Sequence, residues 1–373
     1  MKFSVTPSAD RNRMLTTGPF MQTIGQLDTP AVTILLDTME ANIARVQRHL
    51  DRHGIANRPH IKTHKIPAIA KLQIAAGAVG ITCQKLGEVE AFVDAGVRDD
   101  ILLTFNIIGE AKTERLIALT RRVGRLAVVL DNEVVARGLS AAGVRHDTEV
   151  RFLIECDTGF GRNGVQTPEA ALDLAHLAMR LPRMRFEGLM TFPNKAPDTA
   201  DFFGRALQLF KDAGIPVPVV SGGGTPALAS VGDFPMVTEH RAGTYVYNDV
   251  MMVASDAASW DDCAMRVRAT VISRPTPERA VLDAGSKVLT SDRYYVRNHG
   301  RILEYPEGVI LSLSEEHAIV DLSGCRERPS VGDVVNVIPN HCCVVSNMVD
   351  EVYGVRGEQV EVVWPVGARG AVR

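Results

Sequence analysis

"AVTILLDTME", Ala31 to Glu40, is the stretch on which the choice of fold turns. Its apolar, β-branched opening reads as a buried strand, and Asp37, Thr38, Met39 and Glu40 follow at once. A doubly wound dinucleotide fold needs a glycine-rich phosphate loop at this place, between its first strand and first helix. There is none. The segment "TMEANIARVQRHLDRHG" instead predicts a helix with Thr38 as N-cap, acidic Glu40 in the first turn and Gly54 as the stop.

Outward from this point the period changes again and again, each apolar run giving way to a helix-spaced stretch. The further candidate strands are "RPHIKTH" (58–64), "AVGITCQK" (78–85), "DILLTFN" (100–106), "RLAVVLD" (125–131), "EVRFLIECD" (149–157), "RFEGLMTF" (185–192), "PVPVVSG" (216–222) and "MVTEHRAGTYVY" (236–247). Alternation of this kind predicts a parallel sheet covered by its crossover helices. With 31–37 included, the strands are one too many for an eightfold barrel. Counting 58–64 as the first makes 216–222 the seventh and 236–247 the eighth, and leaves 31–37 outside. After about residue 255 the rhythm breaks into short strands such as "AMRVRATVISR", "RAVLDAG", "HAIVDL", "DVVNVIPN" and "GVRGEQVEVVW", joined by turn-rich segments. The expected architecture is α/β: a (β/α)8 TIM-type barrel over 28–253, with a mostly β domain from 1–27 plus 254–373.

The totals narrow the function. With 41 basic against 44 acidic residues the net charge is −3, so no nucleic-acid or membrane-surface footprint is expected and a small-molecule partner is. The six cysteines have no regular spacing, which points to a reducing cytoplasm rather than a disulfide framework. No window approaches the roughly eighteen apolar residues of a membrane span, and "MKFSVTPSADRNRM" has no signal-peptide core; the chain is expected to be soluble.

Four stretches invite chemistry. "RPHIKTHK" (58–65) gathers five basic side chains; as a strand it would put His60, Lys62 and His64 on one face, and a lysine directed into a barrel is costly unless paired, deprotonated or covalently used. A solvated basic edge is the competing reading. "SGGGTP" (221–226) offers backbone amides to an anion, with Thr225 as a helix cap, or else a plain flexible turn. In "HRAGTYVYND" (240–249) Arg241 precedes Gly243 and Thr244 at the place where barrels often bind phosphate. In "PNHCCVVSN" (339–347) strand spacing would set His341 and Cys343 on one face as two ligands of an open metal site, against the alternative of a buried thiol beside a core histidine.

Taken together, "RPHIKTHK", "CQK" (83–85), "DTGFGRNGV" (157–165), "SGGGTP", "RAGTYVYND" and "PNHCCVVSN" resemble the D-threonine aldolase and D-serine dehydratase family, pyridoxal-phosphate enzymes with an alanine-racemase-like barrel, from about residue 28 to the end. The resemblance implies a covalent link between pyridoxal 5′-phosphate and Lys62. It also implies cofactor contacts from Gln84, Arg162, Ser221, Gly222, Gly223, Gly224, Thr225, Arg241, Gly243, Thr244 and Tyr245. Arg162 is expected near the phenolic oxygen and Arg241 at the pyridine nitrogen, where a guanidinium gives up no proton. His341 and Cys343 are the implied ligands of a divalent metal, zinc, manganese or magnesium; the sulfur favours zinc and the dehydratase type, since aldolases of this kind tend to carry His-x-Asp. Lys62 and His341 are the implied catalytic residues. Glu316 or His317 is a further candidate to position substrate, and Thr191 and Phe192 stand where aldolases carry a tyrosine-containing segment.

The implied activity is a lyase acting on D-β-hydroxy-α-amino acids, with D-threonine aldolase first and D-serine or D-threo-3-hydroxyaspartate dehydratase as the alternative. A non-catalytic pyridoxal-phosphate carrier is the reading from another class, and a racemase lacks an assignable opposing tyrosine. A homodimer is implied by the same resemblance.

Overall fold

The computed structural model describes residues 22–194 and 197–373. Strands β1 (Ala31–Leu35), β2 (Ala56–Asn57), β3 (Ile81–Cys83), β4 (Asp100–Leu103), β5 (Arg125–Leu130), β6 (Val150–Cys156), β7 (Met184–Thr191), β8 (Val219–Gly222) and β9 (Glu239–His240) alternate with helices. All but β1 form one parallel sheet in the order β2-β9-β8-β7-β6-β5-β4-β3. A bridge from His60 to Thr82 and the bond from Thr82 N to Pro59 O, 2.8 Å, join its two ends into a barrel. The seventh and eighth barrel strands are β8 and β9, as the count from 58–64 requires.

Inside the barrel the side chains are layered, as tilted strands demand. The amino-terminal end is ionic: Arg58 pairs with Glu239 and Asp100, Arg125 with Asp100 and Glu187, and Arg151 with Glu187. Leu102, Ala127, Val129, Leu153 and Met190 fill the middle. The carboxyl end is open and polar.

The spare strand β1 lies in the second sheet, where it pairs antiparallel with the long strand Met265–Thr276 and parallel with Glu351–Arg356. The helix Leu36–Arg52 turns Met39, Ile43, Val46 and Leu50 into the core shared with that sheet, at the spacing of one helical face. Its N-cap is Leu35, three residues before the expected Thr38, because the strand passes into the helix without a loop; Gly54, with φ 67°, ends it as expected. The amino-terminal expectation lies mostly outside the described residues, although Thr23 bridges Gln359 and Val360 N donates to Gln22 O.

Two predicted strands are shorter than expected. The stretch 58–64 leaves the sheet after His60 and makes a 3-10 turn over Ile61–Thr63, so strand alternation does not place Lys62. His64 is carried away from His60 and Lys62 and pairs instead with Gln73, Nε2 to Oε1 3.2 Å. The stretch 236–247 keeps only Glu239–His240 as strand and turns through a second 3-10 segment, Thr244–Val246. Both turns exist because they pack on each other: a Cβ on Gly243 would sit 2.8 Å from His60 O and Thr63 Oγ1.

Candidate active site

A cavity of about 360 Å³ opens at the carboxyl ends of the barrel strands, and Lys62, Gln84, Arg162, Gly223, Gly224, Thr225, Arg241, Gly243, Thr244, His341 and Cys343 line it. The first nine come from the barrel and the last two from beyond it. Ser221, Gly222 and Tyr245 do not line it. Ser221 lies beneath, donating to Glu239 and accepting from Arg241, each 2.6 Å. The Tyr245 ring is buried with its hydroxyl on Gln73, 2.9 Å, and its backbone N–H is taken by Thr225 Oγ1 at 3.0 Å. That bond also corrects the capping role: Gly224 occupies the cap position and Thr225 begins the 3-10 segment.

One end of the cavity suits a phosphate. Gly224 and Gly243 are buried, yet neither of their N–H groups, nor that of Thr244, has a partner among the described residues. Buried amide donors are rarely left unpaired, so an acceptor belongs there. Gly223 faces differently: its N–H donates to Asn194 Oδ1 at 2.7 Å, and at φ +80° a Cβ would fall 2.0 Å from the His240 ring.

Lys62 lines the same cavity, its Nζ 5.8 Å from the centre of the Phe192 ring. Burial, with the charges of Arg162 and Arg241, lowers its amine below the usual lysine value. An amine so lowered is a better nucleophile towards a carbonyl. Arg241 is wholly enclosed and donates to Ser221 Oγ and Thr191 O, each 2.6 Å. Burial lowers it to about 10, which leaves it charged at neutral pH.

The loop "DTGFGR" is shaped by Asp157, whose Oδ1 accepts the N–H groups of Gly159, Phe160 and Gly161. It delivers Arg162 over the rings of Phe160 and Phe192, 5.5 and 5.3 Å from their centres. Beneath it Glu155 accepts from Asn163 Nδ2 at 2.7 Å, and burial pushes its carboxyl up to about 7. Glu155 was not singled out in the sequence, where it reads as one more residue of a strand.

His341 and Cys343 line the same cavity from the second domain, and Cys343 Sγ lies 3.9 Å from Thr244 Oγ1. His341 caps the helix Cys342–Met348, so the pair converges from a helix start rather than from the expected strand. Cys343 Sγ lies 3.3 Å from Thr63 Oγ1, and His341 Nδ1 is 2.8 Å from Asp292 Oδ2. A hydrogen bond from Cys342, with the charge of His341, holds the Cys343 thiol well below its usual value. Burial opposes, but the Cys343 charge and the bonds to Cys343 and Asp292 raise His341 to about 9. Once a metal displaces the Nε2 proton of the imidazolium, an imidazole and a thiolate side by side make a donor pair for a divalent ion; no group of three or more His, Cys, Asp or Glu suited to a metal occurs among the described residues. Any further coordination would therefore be left to water or substrate.

Tyr294, also missed, stands edge-on to His341 at 5.9 Å between ring centres. Glu316 and His317 do not reach the cavity: they sit in an exposed turn, with Glu316 paired to Lys287 at 2.5 Å.

Residues 34–250 match the family described as alanine racemase, N-terminal domain, and 264–355 the putative serine dehydratase domain. The chain is 32% identical to a D-threonine aldolase of Arthrobacter sp, over 94% of this chain and 95% of that one. It is also 32% identical to a D-threo-3-hydroxyaspartate dehydratase of Delftia sp. (strain HT23), over 86% and 92%. The crystal structure of D-threonine aldolase from Filomicrobium marinum superposes with a TM-score of 0.88 at 30% identity, covering 96% of this chain and all of that one.

Proposed function

The chain belongs to the D-threonine aldolase and D-serine dehydratase family of alanine-racemase-like barrels, and on that premise we propose that it is a pyridoxal-phosphate-dependent lyase cleaving D-β-hydroxy-α-amino acids. The observation that carries the reading is the meeting, in one cavity, of a lowered amine, unpartnered amides and an imidazole–thiol couple.

Pyridoxal phosphate would supply an electron-poor ring that takes up the electron pair released when a bond to the substrate α-carbon breaks. A divalent metal would supply Lewis acidity towards the substrate hydroxyl. Lys62 Nζ is the amine that would hold the cofactor, and the Gly224, Gly243 and Thr244 amides would hold its phosphate. Arg241 remains protonated and therefore donates, never accepts, towards whatever faces it. His341 and Cys343 would hold the metal, and its Lewis acidity would then be supplied on their side of the cavity. The walls of Phe160, Phe192, Met190 and Met252 keep water from the reacting carbon.

In the aldol direction the hydroxyl oxygen loses its proton, the Cα–Cβ bond breaks and a proton returns to the α-carbon, giving glycine and acetaldehyde from D-threonine. Cys343 in place of an oxygen ligand favours a second reading, dehydration, in which Lys62 Nζ takes the α-proton, the hydroxyl leaves as water, and the enamine released is hydrolysed by water to a keto acid and ammonia. Incubation with D-threonine and with D-serine separates them: glycine plus acetaldehyde is expected, and pyruvate plus ammonia from D-serine alone would replace aldolase by dehydratase. No turnover of either, with cofactor bound, would favour a carrier.

The proposal includes a homodimer, a division between barrel and β domain near residue 253, and a reducing cytoplasmic setting, which the six unpaired cysteines support. Among the described residues no helix is long and apolar enough to cross a membrane.

A further inference from the structure

Asp292 has no place in the reading so far, yet it is built into the His341 end of the cavity from two directions. Its Oδ2 lies 2.8 Å from His341 Nδ1. Its backbone is fixed as well: Asp292 N donates to the Oγ1 of buried Thr290 at 3.2 Å, and Asp292 O accepts from Asn340 Nδ2 at 3.0 Å. Asn340 is the residue immediately before His341, and its second amide proton goes to Asn298 O at 2.5 Å. The turn bearing the carboxylate is thus stapled to the segment bearing the imidazole, so the two cannot drift apart independently.

The consequence is chemical. With Nδ1 committed to a carboxylate, the nitrogen left for the cavity is Nε2. The other donor is held in the same manner, Cys343 Sγ against Thr63 Oγ1 at 3.3 Å, on the turn that carries Lys62. An outer partner for each donor is what a site needs to present both in a fixed direction.

We infer that Asp292 is the positioning residue of His341, fixing its ring orientation and tautomer so that Nε2 meets the metal. The inference rests on the metal reading above, and its test separates the two. Cofactor-loaded protein is stripped of divalent ions and titrated with Co2+, following the absorption of cobalt bound to a thiolate. Asp292→Asn and Asp292→Ala are expected to weaken Co2+ binding by about 10- to 100-fold. Their melting temperature and cofactor absorbance stay at the parent's values, and turnover of D-threonine returns at saturating Co2+. Glu316→Gln, an exposed acid outside the cavity, leaves the affinity unchanged. If His341→Ala loses Co2+ while both Asp292 variants bind it as the parent does, the Asp292 assignment is overturned and the metal reading stands. If His341→Ala also binds like the parent, both fall. A weaker affinity accompanied by a changed cofactor spectrum would make Asp292 a structural residue only and overturn the assignment as well.

Discussion

The phosphate end of the cavity is made of backbone and the His341 end of side chains, and the two are built from different parts of the chain. Gly224, Gly243 and Thr244 present N–H groups from turns that cap the seventh and eighth barrel strands, so that end exists as soon as the barrel does. His341 and Cys343 arrive from a helix start almost 100 residues later and are aimed by Asp292, Thr63 and Asp249; Cys343 Sγ meets Thr244 Oγ1 at 3.9 Å across a sequence separation of 99, so the two parts adjoin although they are built differently. A backbone site tolerates exchange of neighbouring side chains but not of its glycines. A side-chain site depends on every outer contact.

The largest effects come from removing one end at a time. Lys62→Ala is expected to reduce D-threonine turnover to background and to abolish the cofactor absorbance that borohydride would otherwise trap on this lysine. His341→Ala is expected to reduce turnover as far while that absorbance remains. Absorbance and peptide mass after borohydride treatment check both, and loss of the absorbance in His341→Ala would mean that the two ends are one unit.

Next in size is the joint between them. Asp249 is fully buried; its Oδ1 accepts from Met252 N and its Oδ2 from Cys342 N, each at 3.0 Å. One carboxylate therefore starts the helix Val250–Ala254, just past the eighth strand, and the helix that carries Cys343. Removing two such caps costs roughly 1–4 kcal/mol. Asp249→Ala should lower the melting temperature by several degrees. It should also reduce Co2+ affinity more than affinity for pyridoxal phosphate, because it holds the N–H of Cys342, between the two donors, and bonds to none of the phosphate-facing amides; equal losses would count against the comparison.

The same contrast explains what could be read in the sequence. The barrel, its seventh and eighth strands and the outlying strand β1 follow from periodicity, which is a local property. Gly223, Gly224, Gly243 and Lys62 could be singled out by residue type and they do line the cavity, although Lys62 reaches it from a turn rather than along a strand. The turn at Ile61–Thr63 was not, since it is imposed by the close approach of Gly243, distant in sequence. Likewise His341 and Cys343 were paired by strand spacing, although a helix start brings them together. Asp292, 49 residues from His341, and Glu155, hidden in an ordinary strand pattern, have no local signal at all.

Glu155 provides the smallest and most specific difference between the two ends. It belongs to the barrel side, beneath Arg162, with Nη2 3.7 Å from its Oε1. Burial raises its carboxyl from 4.5 to about 7, with Asp131 adding and Arg162 and Arg241 opposing. A carboxyl raised on folding binds its proton more tightly in the native state. Its stabilising contribution is therefore full below about pH 4.5 and is lost as pH rises through about 7. The shift corresponds to about 3 kcal/mol at most, and relaxation around the buried carboxyl reduces it. Glu155→Gln should remove this slope, so that the variant gains stability relative to the parent as pH goes from 5 to 8. Urea unfolding at several pH values checks the sign. A parent that becomes more stable than Glu155→Gln over that window would mean that Glu155 is ionised and paired with Arg162 throughout, tying that arginine to the barrel rather than leaving it free to face the cofactor.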